Sequence, residues 1–299
     1  TLELKKDNQK YFYLRYDKEK ALQENKNSKL EGIWKFKNKY DDIFYLKFSL
    51  PDDVTIYSIE DQGSTTSTSY GSWMYNSKEK SILTIILSNE FSGKHFLTKQ
   101  LDNLIEFKYK DENIVANKIE EETSKLEKLN FTEDDFPEEA NEELPLAWTS
   151  LYDGITSLSN IKTLVYDNCE FIKEIGVFNC DEYKIDVNAS EDNEKINFSI
   201  KYNKDEYAKK VTKGGYNNNA FFPEDDFFTY RVVSKEKITV PAGTFDCTVV
   251  EVPGDFGDKI KLWMINDKAG VYAKKIKIGK DVLEKDKYEM HILKEIIKK

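Results

Sequence analysis

The chain has 299 residues, of which 39% are hydrophobic and 33% charged, and its formal net charge is −10 at pH 7. The length is enough for two domains, and no apolar run approaches the roughly eighteen residues of a membrane-spanning helix. Arginine occurs only as Arg15 and Arg231 and the lysines do not cluster, which argues against a nucleic-acid-binding surface.

Residues 1–29 are predicted to form an N-terminal extension, with an aromatic run at 11–14 and a helical pattern at 17–25. Residues 30–119 then alternate apolar and polar side chains in about eight short segments. We expect a Ser/Thr-rich hairpin loop at 63–71. The predicted strands are 32–36, 44–48, 54–59, 73–75, 82–87, 96–101, 104–109 and 114–119. Their spacing of about 8–12 residues indicates an all-β barrel or sandwich.

The acidic excess is concentrated in residues 120–147, which contain eleven acidic and two basic residues, a net charge of −9. Pro137, Pro145 and the scarcity of large apolar residues are typical of a solvated linker. A calcium-binding loop is the alternative, although the spacing and central glycine of an EF-hand are absent. The segment is therefore predicted to link two domains.

Residues 148–299 are predicted to form a second β domain. A short helix is expected at 148–158, and a flexible loop at 214–219 precedes a phenylalanine-rich segment. The predicted strands are 161–166, 170–175, 182–187, 196–202, three strands within 236–278, and 287–297. The sequence thus predicts an all-β protein with few short helices, built from two antiparallel domains.

The strands within 236–278 are predicted to form an antiparallel meander around the turn Pro241-Ala242-Gly243. Proline pre-sets the first turn position, and Gly243 can adopt the positive φ that closes a three-residue loop with a bulge. Beyond the turn, Phe245, Cys247 and Val249 fall on one face. These residues therefore serve as markers of structure.

The three cysteines are Cys169, Cys180 and Cys247. They contain no CxxC pair, which argues against a thiolate zinc site or a redox motif. Cys247 is expected to be a small buried hydrophobic residue. A disulfide between Cys180 and Cys247 on neighbouring strands is an alternative. Because the number of cysteines is odd, at least one thiol must remain unpaired.

Catalytic constellations are sparse in this sequence. His95 and His291 fall in different predicted domains, which argues against a Ser-His-Asp or Cys-His site, and two histidines are too few for a His-rich metal centre. The sequence contains no GxSxG, GxGxxG or Walker motif. The spacing Asp186-x-Asn188-x-Ser190-x-Asp192 resembles an oxygen cage for calcium, but Glu191 replaces the expected glycine. We therefore predict no catalytic residue, no metal site and no cofactor, while two carboxylates in a cleft would still permit a glycan hydrolase.

Aromatic residues are abundant, with 18 Tyr, 18 Phe and 4 Trp. Most are expected in hydrophobic cores, but a curved sheet or barrel can also line an apolar pocket with them. The candidate ligand-binding residues are Phe221, Phe222, Phe227, Phe228 and Trp263.

The segment Gly32-Ile33-Trp34 resembles the Gly-x-Trp motif that opens the first strand of lipocalin-like domains. This resemblance implies a barrel over residues 30–119. The family's arginine that stacks on the tryptophan has no counterpart, because no arginine lies between residues 16 and 230. Lys118 is a candidate substitute, although lysine lacks a planar stacking surface.

The segment 240–247, VPAGTFDC, with LWM at 262–264 and Gly270-Val271-Tyr272, resembles a family of bacterial envelope proteins of unknown function. The resemblance covers roughly residues 148–285. It implies a strongly curved open antiparallel sheet, like that of outer-membrane lipoprotein carriers, whose concave face can hold acyl chains.

These resemblances imply a periplasmic or surface lipoprotein that binds an apolar small molecule or lipid without catalysis. Because the chain begins at Thr1, we expect that a leader with a lipid anchor preceded it. A structural or adaptor lipoprotein with filled cores is the first alternative, and a glycan-active hydrolase with two carboxylates is the second.

Overall fold

The computed structural model describes residues 2–6, 9–13, 18–60, 65–87, 89, 91–109, 112–127, 129, 147–148, 157–189, 196–202, 209–211, 231–253, 257–280 and 285–299. Contacts divide the chain into two compact units. The first comprises Thr1–Lys125 with Ile172–Val177, and the second comprises Leu126–Phe171 with Phe178–Lys299. In the described part of the chain, no helix combines the length and apolar character needed to cross a membrane.

The first unit contains a closed antiparallel barrel of eight strands, β3 to β10, in which each strand pairs with the next and β10 returns to β3. A separate hairpin, β1–β2, and one helix, α1, precede it. The elements are β1 (Leu2–Lys6), β2 (Gln9–Tyr13), α1 (Lys18–Ser28), β3 (Gly32–Lys37), β4 (Ile43–Ser49), β5 (Asp53–Glu60), β6 (Thr65–Asn76), β7 (Ser81–Ile86), β8 (Gly93–Gln100), β9 (Leu104–Tyr109) and β10 (Glu112–Ile119), followed by a 3-10 turn at Thr123–Lys125.

Large side chains fill the barrel interior. Trp34, Phe48, Trp73 and Phe107 are each at most 2% exposed, and the rings of Phe48 and Trp73 lie 4.9 Å apart. Burying a side chain of this size contributes roughly 1.5–3 kcal/mol. The barrel is therefore a packed scaffold.

In the Gly-x-Trp segment, Trp34 contacts Leu30 and Lys118. Trp34 donates its indole N–H to the carbonyl oxygen of Leu30 at 2.7 Å, and the ammonium of Lys118 lies 5.4 Å from its ring centroid. Gly32 has a φ of 121°, and a Cβ there would lie 2.6 Å from Cε of Lys118. The missing side chain at Gly32 thus gives Lys118 the room to cover the indole.

Helix α1 is fixed to the barrel by one buried amide. Asn25 donates to the carbonyl oxygens of Pro51 at 2.9 Å and Trp73 at 3.1 Å, and it accepts from the amide of Tyr75 at 2.8 Å. These partners satisfy the polar side chain, which is 1% exposed.

The second unit is a nine-stranded open antiparallel sheet with the order β14-β13-β12-β11-β19-β18-β17-β16-β15. Its strands are β11 (Ile161–Ile172), β12 (Val177–Ala189), β13 (Ile196–Tyr202), β14 (Lys209–Val211), β15 (Arg231–Val240), β16 (Gly243–Pro253), β17 (Lys259–Ile265), β18 (Tyr272–Lys280) and β19 (Asp286–Lys298). The prediction of an all-β protein with an antiparallel barrel and a second antiparallel sheet is confirmed.

Two local predictions were wrong. The Ser/Thr-rich segment at 63–71 is not a loop throughout, because β6 begins at Thr65 and pairs with β5. The strand predicted at 170–175 is the end of β11 followed by a turn at 173–176. The aromatic run at 11–14, for which no secondary structure was predicted, overlaps the hairpin strand β2. The predicted helix at 148–158 and the linker at 120–147 lie largely outside the described residues.

The meander turn differs from its prediction by one residue. Val240 pairs with Gly243, so the loop contains only Pro241 and Ala242, and Gly243 has the positive φ expected of it, at 139°. The amide of Ala242 donates to the carbonyl oxygen of Leu293 on β19 at 3.3 Å. In a flat sheet, β15 and β19 would lie four strand spacings, roughly 19 Å, apart. This hydrogen bond therefore shows that the sheet curls until its β15–β16 turn meets β19.

The predicted alternative of a Cys180–Cys247 disulfide was wrong, because Cys180 is bonded to Cys169. The turn at 173–176 places these two cysteines on neighbouring strands, β11 and β12. Cys247 is a free thiol, 1% exposed, as expected of a buried hydrophobic residue. Burial, assisted by the nearby Glu236, raises the pKa of the Cys247 thiol to about 12.

Candidate ligand groove in the curled sheet

The curl of the second unit creates a groove of about 440 Å³ on the inner face of the sheet. Four of its strands contribute to it. The groove is lined by Glu127, Glu236, Ile238, Thr239, Val240, Pro241, Lys261, Trp263, Lys274 and Ile292. Ligand sites in proteins typically measure roughly 300–1,000 Å³, so the groove has the size of a small-molecule site.

Trp263 forms the floor of the groove. It lies opposite Val249 on β16 and opposite Lys274 on β18, and Lys274 lies opposite Ile292 on β19. Directly opposite residues on antiparallel strands share one face of a sheet. This register therefore places Trp263, Lys274 and Ile292 side by side on the inner face.

Two lysines cover the indole of Trp263. The ammonium of Lys261 lies 5.1 Å from the ring centroid and that of Lys274 lies 4.8 Å from it. Each is within the range of a cation–π interaction, worth about 0.5–2 kcal/mol. The indole is 2% exposed, so a ligand in the groove would contact the lysine side chains before it reached the ring.

The charged groups of the groove differ in their pairing. The indole N–H of Trp263 donates to Oε1 of Glu236, and the ammonium of Lys274 forms an ion pair with Glu127. The side chain of Lys261 has no hydrogen-bond or ion-pair partner among the described residues. Lys261 is thus the groove cation that remains available to an anionic group.

One wall of the groove is apolar. Ile238, Val240 and Pro241 come from the end of β15 and its turn, and Ile292 comes from β19. The hydrogen bond from Ala242 to Leu293 holds these two sides together. The groove therefore combines apolar side chains along one side with Lys261, which has no ion-pair partner among the described residues.

The sequence predicted one residue of this groove as a ligand contact, Trp263, and one as a turn marker, Pro241. Phe221, Phe222, Phe227 and Phe228 lie outside the described residues. The sequence reasoning missed Lys261 and Lys274. The alternation of 259–265 could have indicated Lys261, because residues two apart on a strand share a face.

The other candidate reactive residues of the sequence include His95 in the first unit and the calcium spacing at 186–192 in the second. His95 is packed inside the barrel, with its ring 4.3 Å from that of Phe91 and Nε2 bonded to the carbonyl oxygen of Phe91 at 3.0 Å. Burial lowers the pKa of His95. Within the described residues, no cluster of three or more His, Cys, Asp or Glu side chains could hold a metal. The calcium spacing at 186–192 lies mostly outside those residues.

A second cavity, of about 340 Å³, lies in the first unit beside the end of helix α1. Lys29, Lys80, Lys99 and Asp102 line it. Lys29 forms a long ion pair of 3.5 Å with Asp102, and both side chains are largely exposed. Because such surface pairs contribute little, this cavity is a polar surface depression rather than a shaped site.

No family model matches the chain, and no curated protein matches it. Among solved structures, the chain is similar to a candidate lipoprotein from Parabacteroides distasonis ATCC 8503, at 11% identity and a TM-score of 0.18, covering 90% of this chain and 96% of that one. It is also similar to a protein of unknown function of the DUF3598 family from Nostoc punctiforme PCC 73102, at 7% identity and a TM-score of 0.21. The match covers 91% of this chain and 98% of that one. TM-scores this low carry no argument about shared fold or function.

Proposed function

We propose that this protein is a non-enzymatic binding protein whose second unit holds a lipid-like ligand in the groove above Trp263. The observation that supports this proposal is the pairing of an apolar wall with Lys261, a cation that has no partner among the described residues. An amphipathic molecule with one anionic group satisfies both features. A fatty acid is the simplest such ligand.

The apolar wall would contact the acyl chain of the ligand. Each methylene group that leaves water for the wall of Ile238, Val240 and Ile292 contributes about 0.8 kcal/mol. The carboxylate of the ligand would bind the ammonium of Lys261, which lies over the ring of Trp263. Lys261 would therefore orient the ligand, and the apolar wall would receive its chain.

The groove favours binding over glycan hydrolysis. Its two carboxylates, Glu127 and Glu236, accept hydrogen bonds from the ammonium of Lys274 and the indole N–H of Trp263. Both carboxylates are thus engaged by groups of the protein itself. Glycoside hydrolysis instead requires two carboxyl groups that face the scissile bond of the substrate.

The barrel supports a structural role for the first unit. Its interior is occupied by Trp34, Phe48, Trp73 and Phe107, so the ligand site is assigned to the sheet and the barrel acts as a scaffold. This observation favours the adaptor alternative for the first unit alone.

The Cys169–Cys180 disulfide supports a location outside the cytoplasm. Disulfides persist in oxidising compartments such as the bacterial periplasm and the cell surface. We therefore infer an envelope protein.

Quenching of tryptophan fluorescence by a brominated fatty acid tests the proposed site. Bromine in the groove would quench Trp263 and leave the three other tryptophans less affected. The variant Trp263→Phe should still bind the fatty acid, as measured by displacement of a fluorescent analogue, but should lose the quenched component. Quenching that persists in Trp263→Phe would place the ligand elsewhere.

Two further variants separate the head and tail contacts. Lys261→Ala should weaken binding of the fatty acid but not of its methyl ester, whereas Ile238→Asp should weaken both. Lys235→Ala, an exposed lysine of β15 outside the groove, is the matched control and should change neither. Equal affinity of Lys261→Ala and Lys235→Ala for the fatty acid would contradict the assignment of Lys261.

A further inference from the structure

A second cluster of reactive side chains lies in the second unit, outside the groove. His291 on β19 is directly opposite Lys275 on β18 and directly opposite Asn168 on β11. Trp263 and Lys274 occupy neighbouring register positions and so point to the other face. The cluster of Asn168, Lys275, His291 and their neighbour Tyr183 therefore shares the face opposite the groove floor.

His291 is held in place by Tyr183. The hydroxyl of Tyr183 is 2.8 Å from Nδ1 of His291, and the two rings meet edge to face with centroids 5.4 Å apart. Tyr183 in turn stacks on Tyr166, whose hydroxyl donates to the carbonyl oxygen of Tyr272 at 3.0 Å. The imidazole is thereby fixed, and its Nε2 has no partner among the described residues.

Lys275 is a half-buried cation without a counterion in the part of the chain that the structure describes. Its ammonium has no hydrogen bond or ion pair to any described residue. The neighbouring charges are already engaged, because Lys277 pairs with Asp258 and Glu289 pairs with Lys287. A lysine in this situation is the kind of amine that proteins use as a nucleophile.

The surroundings of Lys275 and His291 lower the pKa of both side chains. Burial, reinforced by the charge of Lys277, lowers the pKa of Lys275, and Glu289 opposes this only in part. Burial and the nearby Lys275 lower the pKa of His291 to about 4. At neutral pH the imidazole is therefore uncharged and can accept or donate a proton.

We propose that Lys275 forms a Schiff base with an aldehyde or ketone ligand, with His291 carrying the proton and Tyr183 positioning the imidazole. The free amine adds to the carbonyl carbon and forms a C–N bond. The proton lost from nitrogen and the one gained by the carbonyl oxygen pass through His291. The resulting carbinolamine then loses water to give the imine, so the reaction needs no oxidant or reductant.

The experiment uses the full chain, propanal and sodium cyanoborohydride, which reduces any imine to a stable secondary amine. Peptide mass spectrometry then gives the extent of propylation at each lysine during a short exposure at pH 7. Each unit by which the pKa falls raises the free-amine fraction at neutral pH about tenfold. Lys275 should therefore be modified several-fold faster than the exposed Lys235 and Lys280 in the same sample.

Two variants test the proton carrier without removing the nucleophile. His291→Gln and Tyr183→Phe should slow propylation of Lys275 and leave Lys235 and Lys280 unchanged, with circular dichroism showing that the sheet is intact. The pH at which the rate at Lys275 is half-maximal should also lie below that of Lys235. Modification of Lys275 no faster than that of Lys235 would overturn the proposal, and unchanged rates in both variants would remove the role of His291.

Discussion

The amide of Ala242, in the turn between β15 and β16, donates a hydrogen bond across 3.3 Å to the carbonyl oxygen of Leu293 on β19, although two strands separate β16 from β19 in the sheet. This contact closes the curl that forms the groove. It depends on the tight turn at Pro241 and Ala242, and that turn depends on the backbone of Gly243. The geometry of the groove is thus set at a few residues far from its floor.

The first prediction concerns the β15–β16 turn. Gly243→Ala should destabilise the protein by roughly 1–3 kcal/mol, because an L-residue is strained at the φ of 139° found there. The added methyl group itself has space, since its nearest neighbour would be Cζ of Phe245 at 3.5 Å. Urea unfolding measures the loss, and the affinity for a brominated fatty acid should fall with it.

Ala242→Gly is the control for the turn, because it removes one methyl group and keeps the N–H that binds Leu293. This variant should retain ligand affinity. If Gly243→Ala bound the fatty acid as tightly as the parent protein, the turn would not control the groove.

The second prediction concerns Gly32, Trp34 and Lys118. Lys118→Ala should cost about 0.5–1 kcal/mol through the loss of its cation–π contact with Trp34. Gly32→Ala should cost more, because it adds strain at a φ of 121° and also displaces Lys118 from the indole. Since both substitutions remove the same contact, the double variant should lose less stability than the sum of the two. Additive losses in urea unfolding would show that Gly32 and Lys118 are independent.

The alternation of apolar and polar residues indicated the strands, because on a strand it reflects which side chains are buried and which are exposed. It could not predict their order, since the pairing of β11 with β19 joins segments more than a hundred residues apart. The Ser/Thr-rich segment was mistaken for a loop because its side chains are mostly exposed, while its backbone completes the ladder between β5 and β7. The aromatic character of Trp263 made it a candidate ligand contact in the sequence. Its hydrogen-bond partner Glu236 is brought close to it only by the fold.

The third prediction is a pH dependence of stability that arises from His291. Its pKa is about 4 in the folded protein against an ordinary value of 6.5, so the unfolded state binds the proton more tightly between these values. Stability should therefore fall as the pH falls from about 6.5 towards 4, by up to about 3 kcal/mol from this group. Urea unfolding across this pH range measures the slope.

Carboxylates add their own dependence on pH, so the comparison needs a matched variant. His291→Gln keeps a hydrogen-bonding side chain opposite Tyr183 and cannot gain the proton. The difference in unfolding free energy between parent and variant should change between pH 6.5 and 4 and stay constant above pH 7. A constant difference throughout would mean that His291 keeps an ordinary pKa.

The fourth prediction is a pattern of thiol reactivity. Cys247 is 1% exposed and its pKa is raised to about 12, and the other two cysteines are bonded to each other. Iodoacetamide should therefore label no cysteine in the folded protein, Cys247 alone after unfolding without reductant, and all three after unfolding with reductant. Peptide mapping should recover Cys169 linked to Cys180. Labelling of Cys169 in the unfolded, unreduced protein would instead support a bond between Cys180 and Cys247, and would require β12 and β16 to approach each other.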